Sequence, residues 1–341
     1  MVARFLGLCS AVILVGALGI FAVPQANAAA RVIKISHQFP GGTIDEGDFR
    51  DRLCRKFAQE VEKRTGGELK FEVYPSASLV KDKMQFNAMS TGALDMSLYP
   101  LAYAGGQFPE ANITLMPALI TGYEQGLRWK DARIGKELNR MLDEKGIKIL
   151  TWVWQAGGTV SKNKPIIEPA DAKGLKVRGG GRSMDLLLKG AGASVTSISS
   201  SEIYNALQQG VIDGALTSSS SLISFRLYEH AKHVTSARDR SFWYMFEPLM
   251  ISKKTFDSFT PKQQKIVLEV GIAMEKFAVD AAKADDKEMG KVYSANGAKV
   301  HDMNEAAFNK WREIASKTAW KDFEDSTKNG KALMDMAKEV K

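Results

Sequence analysis

Phe86-Asn-Ala-Met-Ser-Thr-Gly-Ala-Leu-Asp-Met96 and Tyr204-Asn-Ala-Leu-Gln-Gln-Gly-Val-Ile-Asp-Gly214 are two versions of one pattern. Aromatic, Asn, Ala, Gly and Asp recur in register, with apolar residues matching between them. Each copy reads as a helix stopped by a glycine and followed at once by a buried strand. The segments before each copy also correspond. Upstream of the first lie an alternating strand at 32–36, a helix with Phe49, Leu53, Phe57, Ala58 and Val61 on one face, and a second strand at 69–74. Upstream of the second lie a strand at 174–178, a Gly179-Gly-Gly181 loop, a helix at 184–189 and a strand at 193–198. Ser199-x-x-Glu202 is a capping box that opens the second-copy helix. The chain therefore reads as two similar α/β lobes with largely parallel sheets, and a cleft between lobes is where ligands bind.

Downstream, Ser241–Ser252 is an apolar, aromatic run that reads as a buried strand returning to the first lobe. Pro261 opens a helical stretch to about Ser294, too long for an ordinary globular helix, so it bends or bridges the lobes. Ala298–Met303 reads as a strand, and Asn304 caps a final helical region.

The N-terminus is expected to be an export signal rather than part of the fold. Arg4 gives a positive start, Leu6–Val23 is apolar, and Ala26-Asn27-Ala28 is a cleavage site, so residues 1–28 read as a signal peptide. After it Cys54 is the one cysteine, which rules out an internal disulfide and suits a bacterial periplasm. No later segment reaches the roughly 18 apolar residues of a membrane span. The chain has 341 residues with 47 Lys and Arg against 39 Asp and Glu, a net charge of +8. The charges are intermixed, with no basic stripe of the kind that marks nucleic-acid binding. A mild positive balance favours an anionic ligand slightly.

Parallel strands aim their C-terminal ends at a ligand crevice. Arg178 stands at such an end, before three glycines that remove side-chain bulk, and an arginine there can grip a carboxylate in a two-pronged pair. Thr217 and Ser218 follow the second-copy strand as candidate hydroxyl partners. Gln155 is a candidate donor at a strand-like end that also carries Trp152 and Trp154; those aromatics either wall a pocket or seal a hinge. Tyr99 and Tyr103 follow the first-copy strand and face the cleft from the other side, and Trp243 is a further candidate wall. No nucleophile elbow, metalloprotease or C-x-x-C motif is present. His230 and His233 sit three apart on an expected helix but lack a third ligand, and Cys54 reads as a small core residue. No metal and no cofactor are expected.

Pro169-Ala-Asp-Ala-Lys-Gly-Leu-Lys-Val-Arg178, Ser201-Glu-Ile-Tyr-Asn-Ala-Leu-Gln-Gln-Gly-Val-Ile-Asp-Gly214, Phe108-Pro109-Glu110, Asn163-Lys164-Pro165-Ile166 and Ile251-Ser252-Lys253-Lys254-Thr255-Phe256 together resemble the DctP-type solute-binding proteins of TRAP (tripartite ATP-independent periplasmic) transporters. The resemblance runs over nearly the whole chain after the signal. It implies a two-lobed periplasmic binding protein fold of type II-like form, with hinge strands and a long bridging helix. The first lobe would take residues 31–155 and 243–282, the second 156–242 and 283–341. It implies an organic acid held through its carboxylate by Arg178, and delivery to a small and a large integral membrane subunit for uptake driven by an ion gradient. Three positions depart from the family pattern. A second arginine common in relatives aligns near Gly158, an asparagine aligns with Thr217, and a phenylalanine aligns with Ser200, which joins the candidate site. The missing arginine speaks against a compact doubly charged acid and leaves an aromatic or larger hydroxy or keto acid open beside a C4-dicarboxylate. The rival readings are an exported enzyme acting on an organic acid and a binding protein coupled to a sensor.

Overall fold

Residues 31–341 are described by a computed structural model; the expected signal peptide lies outside them. Twelve strands run through these residues. They are β1 (Arg31–Ser36), β2 (Leu69–Tyr74), β3 (Met96–Leu98), β4 (Ile147–Thr151), β5 (Trp154–Ser161) and β6 (Lys176–Arg178). Then come β7 (Ser194–Thr196), β8 (Gly214–Ser218), β9 (His233–Ser236), β10 (Trp243–Phe246), β11 (Leu249–Ser252) and β12 (Lys299–Asp302). One sheet has the order β2-β1-β3-β11-β4; the other has β12-β9-β5-β8-β6-β7, with β10 also paired to β5. In the first sheet β1 is parallel to β2 and β3, and in the second β6 is parallel to β7 and β8.

The sequence repeat is a structural repeat. Helices Gln85–Thr91 and Ile203–Gln208 both run into a left-handed glycine, Gly92 at φ 76° and Gly210 at φ 74°. The repeated aspartates do the same work. Asp95 Oδ2 accepts from Lys34 N of β1 at 3.0 Å, and Asp213 Oδ2 accepts from Lys176 N of β6 at 2.8 Å. Each ties the start of its own strand to the neighbouring strand.

The first-copy helix, Gln85–Thr91, is preceded by a 3-10 turn, Asp82–Met84. The run 241–252 is two strands in different sheets, β10 and β11, broken at Glu247-Pro248; Pro248 has no N–H for a ladder. β5 and β10 form an antiparallel pair, Phe246 opposite Trp154 and Trp243 opposite Gly157, and they carry the chain between the sheets. The expected lobe boundaries at 155/156 and 242/243 fall at this pair.

The long helix is Pro261–Ala295, opened by a capping box in which Thr260 and Gln263 bond reciprocally. It bridges the lobes. Ile266, Val267 and Val270 enter the core of the first lobe with Ile33, Leu53 and Met96, while Met289 and Tyr293 enter that of the second with Ile203, Leu207 and Val234. Val177, Met184, Leu216 and Trp311 form a further second-lobe cluster. The C-terminal helix Gly330–Lys338 lays Leu333, Met334 and Ala337 on the first-lobe core, although the expected division gives that segment to the second lobe.

Candidate functional site

The C-terminal ends of parallel strands in the two sheets face each other. From the first sheet, the chain leaves β1 through His37 and Gln38, and leaves β3 through Tyr99. From the second, β6 ends in Arg178 and β8 in Ser218. Several contacts join the two sides: Arg178 to Tyr103, Arg50 to Ser218 and Ser221, Lys83 to the Ser197 carbonyl, and Ser201 to Asp82.

Arg178 is 1 % exposed. Its Nε donates to Ile198 O at 3.1 Å, one terminal nitrogen to Leu216 O at 2.7 Å, and the other to Tyr103 Oη at 2.7 Å. Gly180 sits at φ 96°, and a Cβ there would lie 2.7 Å from the guanidinium. The glycine loop is thus what lets the arginine lie flat against its own backbone. A guanidinium has five N–H donors, so one remains on each terminal nitrogen, as a two-pronged carboxylate grip requires. Tyr103 Oη also accepts from Ser200 N at 2.9 Å, which leaves its own O–H to donate. A cavity of about 710 Å³ opens beside these groups, and Tyr103, Gly180 and Ile198 line it.

A second buried arginine was not legible in the sequence. Arg50, in the first turn of helix Phe49–Arg64, spends all five donors. Nε and one terminal nitrogen grip Asp48 at 2.8 and 2.6 Å, and the remaining three N–H reach Glu247 at 3.2 Å, Ser218 at 3.2 Å and Ser221 at 3.1 Å. Its Cζ lies 3.5 Å from the Phe39 ring centroid. Two carboxylates thus share one cation. Despite desolvation, Asp48 is held below the usual carboxylate range by its two-pronged contact with Arg50. Glu247, desolvated and facing Asp48, is pushed up to about 7. Its one link to Arg50 is too long to offset burial.

The other expected residues divide. Thr217 is buried in β8 opposite Gly158, and Ser218 caps helix Ser219–Ser224 while accepting from Arg50. Ser200 contributes its backbone N–H. Trp154 packs over Gly126 and edge-on to Trp129 in the first-lobe core. Register places Gln155 opposite Met245, so the pleat puts Gln155, Met245 and Trp243 on one face. Tyr99 stands edge-on to Tyr103. His230 and His233 do not share a helix face: His230 follows the turn Leu227–Glu229, and His233 opens β9 stacked on His301. No group of three metal-ligating side chains occurs among the described residues. Cys54 is fully buried, which raises its thiol pKa and leaves it unreactive.

Gly158 has a physical reason to lack a side chain. A Cβ there would meet Thr235 O at 1.9 Å, inside a strand paired on both sides. Gly158→Ala is expected to destabilise the protein by about 1–3 kcal/mol through overpacking. Urea denaturation checks this, and an unchanged midpoint would refute it.

The pattern of bacterial extracellular solute-binding protein family 7 (DctP) matches residues 45–326. A solute-binding protein of Albidiferax ferrireducens is 54 % identical over 92 % of this chain and 93 % of its own length. The C4-dicarboxylate-binding periplasmic protein DctP of Rhodobacter capsulatus is 28 % identical over 88 % of this chain and 90 % of its own. The crystal structure of a TRAP periplasmic solute-binding protein from Rhodoferax ferrireducens with bound malonate superposes with a TM-score of 0.89, at 55 % identity, covering 90 % of this chain and 98 % of that one.

Proposed function

This chain belongs to the DctP family of TRAP solute-binding proteins, and on that premise we propose that it captures an organic acid in the cleft between its lobes, with Arg178 holding the carboxylate. The observation that carries the reading is the state of Arg178: buried at the end of β6, fixed by two carbonyls and Tyr103, with one N–H left on each terminal nitrogen.

The mechanism follows from where the contacts lie. β5, β10 and the helix Pro261–Ala295 are the connections about which the lobes hinge. Opening breaks the Tyr103–Arg178 and Arg50–Ser218 contacts and bares the guanidinium. Closing over a bound acid restores them, so the ligand and the cross-cleft contacts both favour the closed form. The closed form is what a small and a large membrane subunit would recognise for uptake driven by an ion gradient. The family is periplasmic, and among the described residues no helix is long and apolar enough to cross a membrane. Export with removal of residues 1–28 completes this reading. The malonate in the Rhodoferax relative makes a small diacid one candidate ligand.

Thermal melting of the exported form against a panel of aliphatic and aromatic carboxylates, with the matching amides as controls, tests the proposal. An acid at a hundred times its Kd should add about 2.7 kcal/mol, and its amide should add nothing. Absence of a shift from every acid, in protein freed of carried-over ligand, would overturn it.

A further inference from the structure

Glu247 is a buried carboxyl that the binding scheme leaves unused. It is 3 % exposed and follows β10 at the point where the chain passes from one sheet to the other. Its backbone N–H donates to Val153 O, and the next carbonyl, of Pro248, accepts from Tyr99 N. These bonds fix it at the hinge, on the first lobe's side of the cleft. Among the described residues its one ion pair is the 3.2 Å contact with Arg50.

The charges around it come from separate elements. Arg50 and Asp48 face it from the start of the helix Phe49–Arg64, and Arg178 acts on it from the end of β6. β6 and β8 are neighbours, so Arg178 and Ser218 reach the same edge of the second sheet. The Arg50 nitrogen that meets Glu247 also meets Ser218, each at 3.2 Å, so one guanidinium spans from Glu247 to that edge. Tyr99, whose hydroxyl burial keeps neutral, is the ionisable group beside Pro248. Asp285 of the bridging helix acts on Asp48 and Arg50.

The balance at Glu247 is close. Burial and Asp48 favour its neutral form, Arg50 and Arg178 its ionised form, and the outcome is a pKa of about 7. Arg50 is shared with Asp48, which holds it by two bonds. The hydrogen bonds of Arg178 go to two carbonyls and a hydroxyl, so its charge is not yet spent on a carboxylate. An acid bound to Arg178 cancels that charge and brings a negative group toward Glu247. Both changes disfavour the ionised carboxyl.

We propose that capture of an acid at Arg178 is coupled to uptake of a proton by Glu247. The proposal rests on the carboxylate reading of Arg178. Linkage fixes the sign: whatever the acid does to the proton, the proton does to the acid. Affinity is highest below pH 7, where Glu247 already carries its proton. It falls as the pH rises through the higher value that Glu247 has in the complex. Asp185, raised by burial to about 6, also feels Arg178, with Lys83 and Lys189 beside it. It is ionised at pH 8 and takes up little there.

The test is calorimetric titration at pH 8 in HEPES and in Tris, whose different ionisation enthalpies reveal the protons exchanged. Malonate, succinate, glycerate and glucuronate are the probes, and the tightest binder is used throughout. A rise of one pKa unit on binding corresponds to uptake of about 0.4 proton at pH 8. Glu247→Gln, a stand-in for the protonated form, is expected to take up almost none. Between pH 7 and pH 9 the Kd is expected to rise about fivefold more in the wild type than in this variant. At pH 9 the variant is expected to bind more tightly than the wild type, which a merely structural role for Glu247 would not produce. Binding without proton uptake in the wild type, equal uptake in the variant, or a variant weaker than the wild type at pH 9 would overturn the coupling and leave the Arg178 reading standing. Binding of no acid would remove that reading, and the coupling with it.

Discussion

Arg178→Met is expected to weaken acid binding about 100- to 10,000-fold. Two charge-assisted hydrogen bonds at about 1.5–3 kcal/mol each sum to about 3–6 kcal/mol, and each 1.4 kcal/mol is tenfold in Kd. Arg178→Lys is expected to fall between the variant and the wild type. It keeps the charge but loses the planar fork, and an ammonium has three donors where the guanidinium has five. Both substitutions also strip donors from Ile198 O, Leu216 O and Tyr103 Oη. A lower melting temperature of the free protein is therefore part of the expected result. The affinity is to be read by titration on protein shown by circular dichroism to be folded. A Kd for Arg178→Met within threefold of the wild type would remove Arg178 from the site.

The place of Arg178 at the end of a strand before a glycine loop was legible in the sequence because its signal is local: a strand end, a charge and three glycines in one short stretch. The doubled pattern was legible for the same reason, and the structure adds what its aspartates are for. The strand break at Glu247-Pro248 had a signal as well, since a proline inside an apolar run argues against one continuous strand. The Arg50 cluster had none. Arg50 meets Ser218 across 168 positions and Glu247 across 197. Each of these residues is unremarkable where it stands in the chain. Only the closure of one lobe on the other makes them neighbours. Gln38 had no signal either, whereas Gln155 is legible as a candidate donor at a strand end. Both are buried without a hydrogen-bond partner among the described residues, and a sequence shows neither burial nor partners.

That hidden cluster sets the second large effect. Arg50→Met is expected to destabilise the protein by about 3–5 kcal/mol at pH 8, because it leaves Asp48 and Glu247 buried with no cation between them. For a chain somewhat larger than 150–250 residues this corresponds to a fall in Tm of up to roughly 20 °C. The loss should shrink as the pH falls. Without Arg50 both carboxyls take up protons more readily, and a neutral carboxyl is far cheaper to bury. The wild type carries the same sign in milder form. Glu247 has a folded pKa of about 7, above its ordinary value of 4.5. Its protonated form is the one the fold prefers, so this contribution is fully present below pH 4.5 and is lost as the pH rises through 7. Asp185 and Asp286, each raised by burial to about 6, act in the same direction. Asp48 and Asp51 are lowered and act oppositely, losing stability only toward strongly acidic pH. Chemical denaturation of Arg50→Met and the wild type at pH 5 and pH 8 separates these contributions. The gap between the two proteins should be clearly smaller at pH 5. An equal gap at both values would mean that the methionine is felt through packing against Phe39 and not through the two carboxylates.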